Sequence, residues 1–197
     1  MKETKVKNVK EVVEFSKLSR SDMQMFLDMG VNRAVIKKFF SAQFCKDKST
    51  LAGYAIGNVF NGYECFTLPP STSSFTSGHS GHIEILGENC QGEVCCVFYS
   101  IMDYLAYVYL RSVGPLPLID KVDCFIMCHP NNFFSLAVNT DGYKKILLFL
   151  PKSEYGQTIS LTLAARNPGH VWDCSFYYGT FGTLHDLCNE WIKQENI

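Results

Sequence analysis

The sequence predicts an α/β fold: a four-stranded parallel sheet flanked by helices, preceded by a small α+β subdomain. Three observations carry this. From residue 88 onward, short apolar runs alternate four times with helical patterns. The runs are continuously apolar, as strands buried on both faces of a parallel sheet must be. Before residue 88 the chain reads instead as two helices and a hairpin, so the predicted division is 1–87 and 88–197. Finally, 47% of the 197 residues are hydrophobic and 14% aromatic, enough to fill the core of one large domain or two small ones.

In chain order, "SRSDMQMFLDMG" places Met23, Phe26 and Leu27 on one face, with Ser21 as the predicted N-cap and Gly30 as the stop. "NRAVIKKFF" restarts with Asn32 as the cap and Val35, Ile36, Phe39 and Phe40 as the apolar face. "TLAGYAIGNVF" and "GYECFTLP" flank Asn61-Gly62, a dipeptide suited to the two positive φ values of a type I′ hairpin turn. "PPSTSSFTSGHSGH" reads as a loop rich in Ser, Thr and Gly.

The second part begins with the strand "EVCCVF" and the helix "SIMDYLAYVYLRS". The strand "VDCFIMC" and the short helix "NNFFSLAVN" follow. "KILLFL" leads into "SEYGQTISLTLAAR", and "VWDCSFYY" into "TLHDLCNEWIKQ". Ligands of such sheets bind at the carboxyl ends of the strands. The candidate site is therefore the set of turns at 98–103, 127–132, 149–156 and 177–186.

Charge and cysteines bound the function. The net charge is −1, so a nucleic-acid role needs a local basic patch. Nine cysteines, an odd number with no C-x-x-C pair, suit neither a bridge framework nor a zinc ribbon. Several lie inside apolar runs, where free Cys acts as a small hydrophobe, so reduced thiols and a cytoplasmic location are expected. No leader and no apolar run of membrane-spanning length is visible, so neither secretion nor a membrane partner is expected.

At the candidate turns the sequence resembles a Toprim domain, the catalytic fold of bacterial primases, topoisomerases and related nucleases. It is most similar to the primase-like Toprim proteins of mobile elements. That family ends its first strand "F-E-G-x-x-D"; this chain has Phe98-Tyr99-Ser100-Ile101-Met102-Asp103. The third strand of the family ends "F-L-D-x-D-E-A-G"; here stands Phe149-Leu150-Pro151-Lys152-Ser153-Glu154-Tyr155-Gly156. Asp186, Asn189, Glu190 and Trp191 resemble the final "D-x-N-E-x-L" helix, with spacing off by one. Upstream, Met29-Gly30-Val31, Ala55-Ile56-Gly57-Asn58 and Asn61-Gly62-Tyr63-Glu64 resemble the small subdomain that precedes Toprim in these proteins.

The resemblance implies Mg²⁺ chemistry, and the departures count against it. Mg²⁺ takes hard oxygen ligands. The family's strand-one glutamate falls on Tyr99, and two aspartates fall on Pro151 and Ser153, with Lys152 between them. Asp103 and Glu154 remain as the metal candidates. An arginine of the upstream motif falls on Phe66, and lysines of the next loop are replaced by His79 and His82. The expectation is a degenerate Toprim site at Tyr99, Ser100, Asp103, Pro151, Ser153, Glu154 and Gly156, with no cofactor. The protein would act by binding DNA or RNA, or a replication or mobilisation protein. Two alternatives stand beside it. One is an active Mg²⁺-dependent nucleotidyl-transfer or nuclease enzyme that relocates its carboxylates to Glu154, Asp103, Asp173 or Asp186. The other is a pure protein-interaction module.

Plainer roles compete at several positions. Glu154 suits the first turn of a helix, Ser153 an N-cap, and Asp103 a cap as well. His79-x-x-His82 with Glu84 lacks obvious further zinc ligands. Cys128-His129 puts two reactive groups on opposite faces of a strand, so a structural Cys is expected. The aromatics of "AYVYL" and "FYYG" suit core packing as well as base stacking.

Overall fold

The computed structural model describes residues 11–46, 49–69, 73–87, 92–114, 116–117 and 122–195. They form two five-stranded sheets. The first is an antiparallel meander of β1 (Glu11–Lys17), β2 (Phe39–Lys46), β3 (Ser49–Gly57), β4 (Tyr63–Thr67) and β5 (Ser73–Ser77), in chain order. Helices α1 (Arg20–Asp28) and α2 (Arg33–Ile36) connect β1 to β2.

The second sheet contains β6 (Ile83–Ile85), β7 (Val94–Phe98), β8 (Asp123–Ile126), β9 (Lys145–Phe149) and β10 (Val171–Asp173). Its order is β10-β9-β7-β8-β6. β7 to β10 are mutually parallel, and β6 pairs antiparallel with β8. Helices α3 (Ile101–Val113), α4 (Phe133–Thr140), α5 (Glu154–Arg166) and α6 (Leu184–Glu195) follow β7, β8, β9 and β10 in turn.

The α/β class is as predicted, but the sheet is not purely four-stranded and parallel. The four predicted strands are there, though the fourth, expected over 171–178, is a strand only over Val171–Asp173 and continues as a 3₁₀ turn over Ser175–Tyr178; β6, which precedes residue 88, adds an antiparallel edge. Residues 88–91, where the predicted boundary falls, lie outside the described residues. The N-terminal part is richer than two helices and a hairpin. β5 lies in the stretch read as a loop: Phe75 pairs with Cys65 across the strands and packs edge-on against Phe44 at 4.9 Å.

Three local expectations are corrected. Ser19, not Ser21, caps α1: its hydroxyl accepts from Asp22 N at 3.1 Å, and Asp22 Oδ2 accepts from Ser19 N at 3.2 Å. This reciprocal box needs an extended cap residue and an acid three places on, which only Ser19 provides. Phe39 and Phe40 do not extend α2 but open β2, on opposite faces. Phe39 stacks on Phe26 at 4.8 Å, while Phe40 meets Phe15 and Tyr63. Four apolar residues are too few to separate a period of 3.6 from one of 2.

The β3–β4 hairpin forms, but through five residues, 58–62, rather than a two-residue turn. Only Asn61 has positive φ, at 60°. The Asn58 side chain organises the loop: Oδ1 accepts from Phe60 N and Gly62 N, and Nδ2 donates to His79 O at 2.7 Å. Gly62 is required because a Cβ there would lie 1.9 Å from the His79 carbonyl oxygen.

Burial fixes the layers. Cys95, Cys96, Val97 and Phe98 of β7 are fully buried, which is why that run carries no polar alternation. One core cluster joins Phe26 of α1 and Phe39 and Phe66 of the first sheet to Phe98 and Phe149 of the second, Tyr107 of α3 and Leu184 of α6. α4 and α5 cover the other face through Leu136, Ile159 and Leu163. The parallel strands run in the order second, first, third, fourth. The chain reverses direction between β7 and β9, and a doubly wound sheet opens its crevice at the carboxyl ends of such a pair. Flavodoxin-like sheets share this order, so the sheet itself carries the α/β class and not a family.

Candidate functional site

The crevice between β7 and β9 is where the sequence places its site. Phe98 and Phe149 are register partners at the ends of these strands, and their rings stack at 5.3 Å. The residues that follow each strand are therefore neighbours: Tyr99 and Ser100 after β7, Pro151 to Ser153 after β9.

Tyr99 is half-buried, its ring edge-on to Tyr155 at 6.0 Å. Its carbonyl accepts from Cys128 N at 2.9 Å, which ties the end of β7 to the turn after β8. Ser100 caps α3. Asp103 is 3% exposed. Its Oδ2 accepts from the Ser100 hydroxyl at 2.6 Å, and its Oδ1 accepts from His185 N at 3.2 Å. One carboxylate thereby serves the first turns of both α3 and α6. Burial pushes its pKa above the ordinary carboxylate value, opposed by the Ser100 and His185 hydrogen bonds.

On the β9 side, Ser153 caps α5 by accepting from Gly156 N at 3.2 Å. Gly156 is buried against the turn before it, and a Cβ there would lie 2.0 Å from the Pro151 carbonyl oxygen. Pro151 thus closes the turn on which α5 sits. Glu154 is exposed in the first turn of α5, where its charge suits the helix dipole. Lys152 is held by the turn after β10. Its N–H donates to Gly182 O at 2.7 Å, its ammonium donates to Gly179 O, and it lies over the Tyr178 ring.

These residues do not fit Mg²⁺. The ion needs several hard oxygens in near-octahedral array. The crevice offers a phenol, a proline ring, a capping hydroxyl, a buried carboxylate with both oxygens engaged, and one exposed carboxylate, Glu154. Among the described residues, no group of three or more His, Cys, Asp or Glu side chains is arranged to hold a metal ion. Asp173 is exposed at the end of β10 and accepts from Ser175 N at 2.8 Å. Asp186 is exposed on α6. Neither is brought to the Asp103 carboxylate by a hydrogen bond. In the α6 motif, Asn189 bonds His185 at 3.1 Å and Glu190 pairs with Lys193.

The remaining candidates are separated. His82 is fully buried, with Nε2 2.9 Å from Glu84 and Nδ1 3.2 Å from the Ser135 hydroxyl, whereas His79 is exposed. Burial raises the Cys128 thiol well above its ordinary pKa, the wrong direction for a nucleophile. Cys128 instead has a structural signature, a φ of 62° where the chain leaves β8. The described cysteines are unbridged, and no helix among the described residues is long and apolar enough to cross a membrane. Sequence reasoning missed the grip on Lys152 and the His185 amide on Asp103. Both partners lie tens of residues away, and no local pattern signals them.

No family model matches the chain, and no curated protein matches it. Solved structures resemble it, among them two from bacteriophage T7. The primase fragment of the bacteriophage T7 primase-helicase protein aligns at 12% identity with a TM-score of 0.49, covering 79% of this chain. The chain spans 64% of that fragment's length. A bacteriophage T7 lagging-strand DNA polymerase structure, with primase domains bound to an RNA/DNA hybrid and dTTP, aligns at 14% identity with a TM-score of 0.47, covering 92% of this chain and 90% of that one. Likeness of this degree decides nothing about activity.

Proposed function

We propose that this is a primase-like Toprim protein with a degenerate catalytic site, divided near residue 88, that acts by binding single-stranded nucleic acid or a replication or mobilisation protein. The observation that supports it is the state of Asp103. It is the acid left at the first strand's turn of the resembled motif, and its carboxylate is buried and engaged by Ser100 and His185. Around it, Tyr99, Pro151 and Ser153 stand where the resemblance calls for carboxylates. A carboxylate bound to the cap of α3 and to the first turn of α6 holds the fold together and is withdrawn from a dication.

Fluorescence anisotropy with labelled single-stranded DNA, from low to physiological salt and with or without Mg²⁺, tests the reading. Binding at low salt should weaken linearly in log-log terms, by about 0.7 per phosphate contact, and should not respond to Mg²⁺ beyond screening. Mg²⁺-dependent cleavage or extension of the strand would overturn the degenerate site. Absence of binding at low salt would remove the nucleic-acid arm.

A further inference from the structure

An opening lies in the N-terminal part of the molecule, and it shares no residue with the β7–β9 crevice. It is a cleft of about 720 Å³ between α1, α2 and the β1–β2 edge. Its apolar lining comes from Leu18, Met23, Leu27, Ile36, Phe39 and Phe40. Around these stand Lys17, Arg20, Arg33 and Lys37, all exposed. No acidic residue lines the cleft. The four cations belong to a chain of net charge −1, and none is in an ion pair among the described residues. The acid nearest in sequence, Asp22, is committed to the α1 capping box and to the Tyr54 hydroxyl at 2.9 Å.

We propose that this cleft docks an acidic amphipathic helix of a partner protein. Most of the lining is aliphatic and thioether, which suits Leu-type anchors of a helix lying in a groove. Bases would need free ring faces to stack on. The two rings that line the cleft are already engaged: Phe39 is buried and stacked on Phe26, and half-buried Phe40 packs edge-on against Phe15 and Tyr63. The cations come from three separate segments, the end of β1, the start of α1, and α2 with its cap. A ligand with carboxylates spread along its length can meet all of them, whereas one compact anion cannot. Complementary charge would steer and orient the helix, and burial of its apolar stripe would hold it.

The test uses the full chain and a labelled peptide of about five helical turns with a leucine stripe on one face and glutamates on the other. A scrambled peptide of the same composition and an oligo(dT) strand are the comparators. The amphipathic peptide should bind about tenfold more tightly than the scrambled one. Arg20→Glu with Arg33→Glu should remove that preference, as should Met23→Asp on the floor of the cleft. These positions are surface-accessible, and an unchanged melting temperature would confirm that the variants fold. Equal binding of both peptides, or of neither, overturns the proposal. So does tighter binding of oligo(dT) that the Arg20/Arg33 variant abolishes, since that would make the cleft a nucleic-acid site. The degenerate-site reading can fail on metal binding without touching any of these residues.

Discussion

Asp103 is a structural part of the fold. Its sequence position suits a metal ligand or a helix cap. In the structure its carboxylate accepts from the His185 amide, 82 residues away. The cost of the arrangement is titratable. Burial raises the folded-state pKa above the unfolded value, so the folded state holds its proton more tightly. The stability this contributes is complete below the unfolded pKa and is lost as pH rises through the folded one. Asn keeps an acceptor for His185 N and carries no charge to bury. Asp103→Asn should therefore gain melting temperature relative to the parent as pH rises from the acid range to neutrality, read by thermal melts across pH. A gap that narrows with pH would mean that the hydrogen bonds outweigh burial.

At the scale of elements, the second half of the chain was legible and the first half only partly so. Long apolar runs and long amphipathic stretches located β7 to β9 and α3 to α6, because burial on both faces leaves an unbroken apolar signature. β5 was hidden by its composition, since "SSFTS" resembles a loop until Phe75 is seen packing on Phe44. β6, at three residues, falls below the length at which periodicity speaks, and α2, located by its Asn32 cap, was read too long for the same reason. The start of α5 offers a test of how tightly the crevice is built. Alanine is intrinsically better than glycine within a helix, by about 0.8–1.0 kcal/mol. At Gly156 the added Cβ would lie 2.0 Å from a backbone oxygen, so the turn itself must move. Overpacking of this kind costs about 1–3 kcal/mol, enough to outweigh the propensity gain. Gly156→Ala should lower the melting temperature by a few degrees. An unchanged or higher value would show that the Pro151 turn yields freely.

For the whole molecule, the alternation of strands and helices was enough to point to the turns at the carboxyl ends of the parallel strands, where such sheets bind ligands; the strand order then singles out the pair β7 and β9. What the alternation could not reveal was strand order, the antiparallel edge supplied by β6, or the continuity of one core cluster from Phe26 to Phe149. Those depend on contacts between distant segments. The basic cleft was hidden for the same reason: Lys17, Arg20, Arg33 and Lys37 make no run in the sequence and gather only when α1 and α2 fold beside β2. The central claim is that the β7–β9 crevice has lost its capacity for a divalent ion, and calorimetric titration with Mg²⁺ and Mn²⁺ tests it most directly. The parent should take up no ion saturably at millimolar concentration. Tyr99→Glu, Pro151→Asp and Ser153→Asp together should introduce weak uptake, since Asp at 153 still caps α5. Saturable one-site binding by the parent, abolished in Asp103→Asn, would contradict the account.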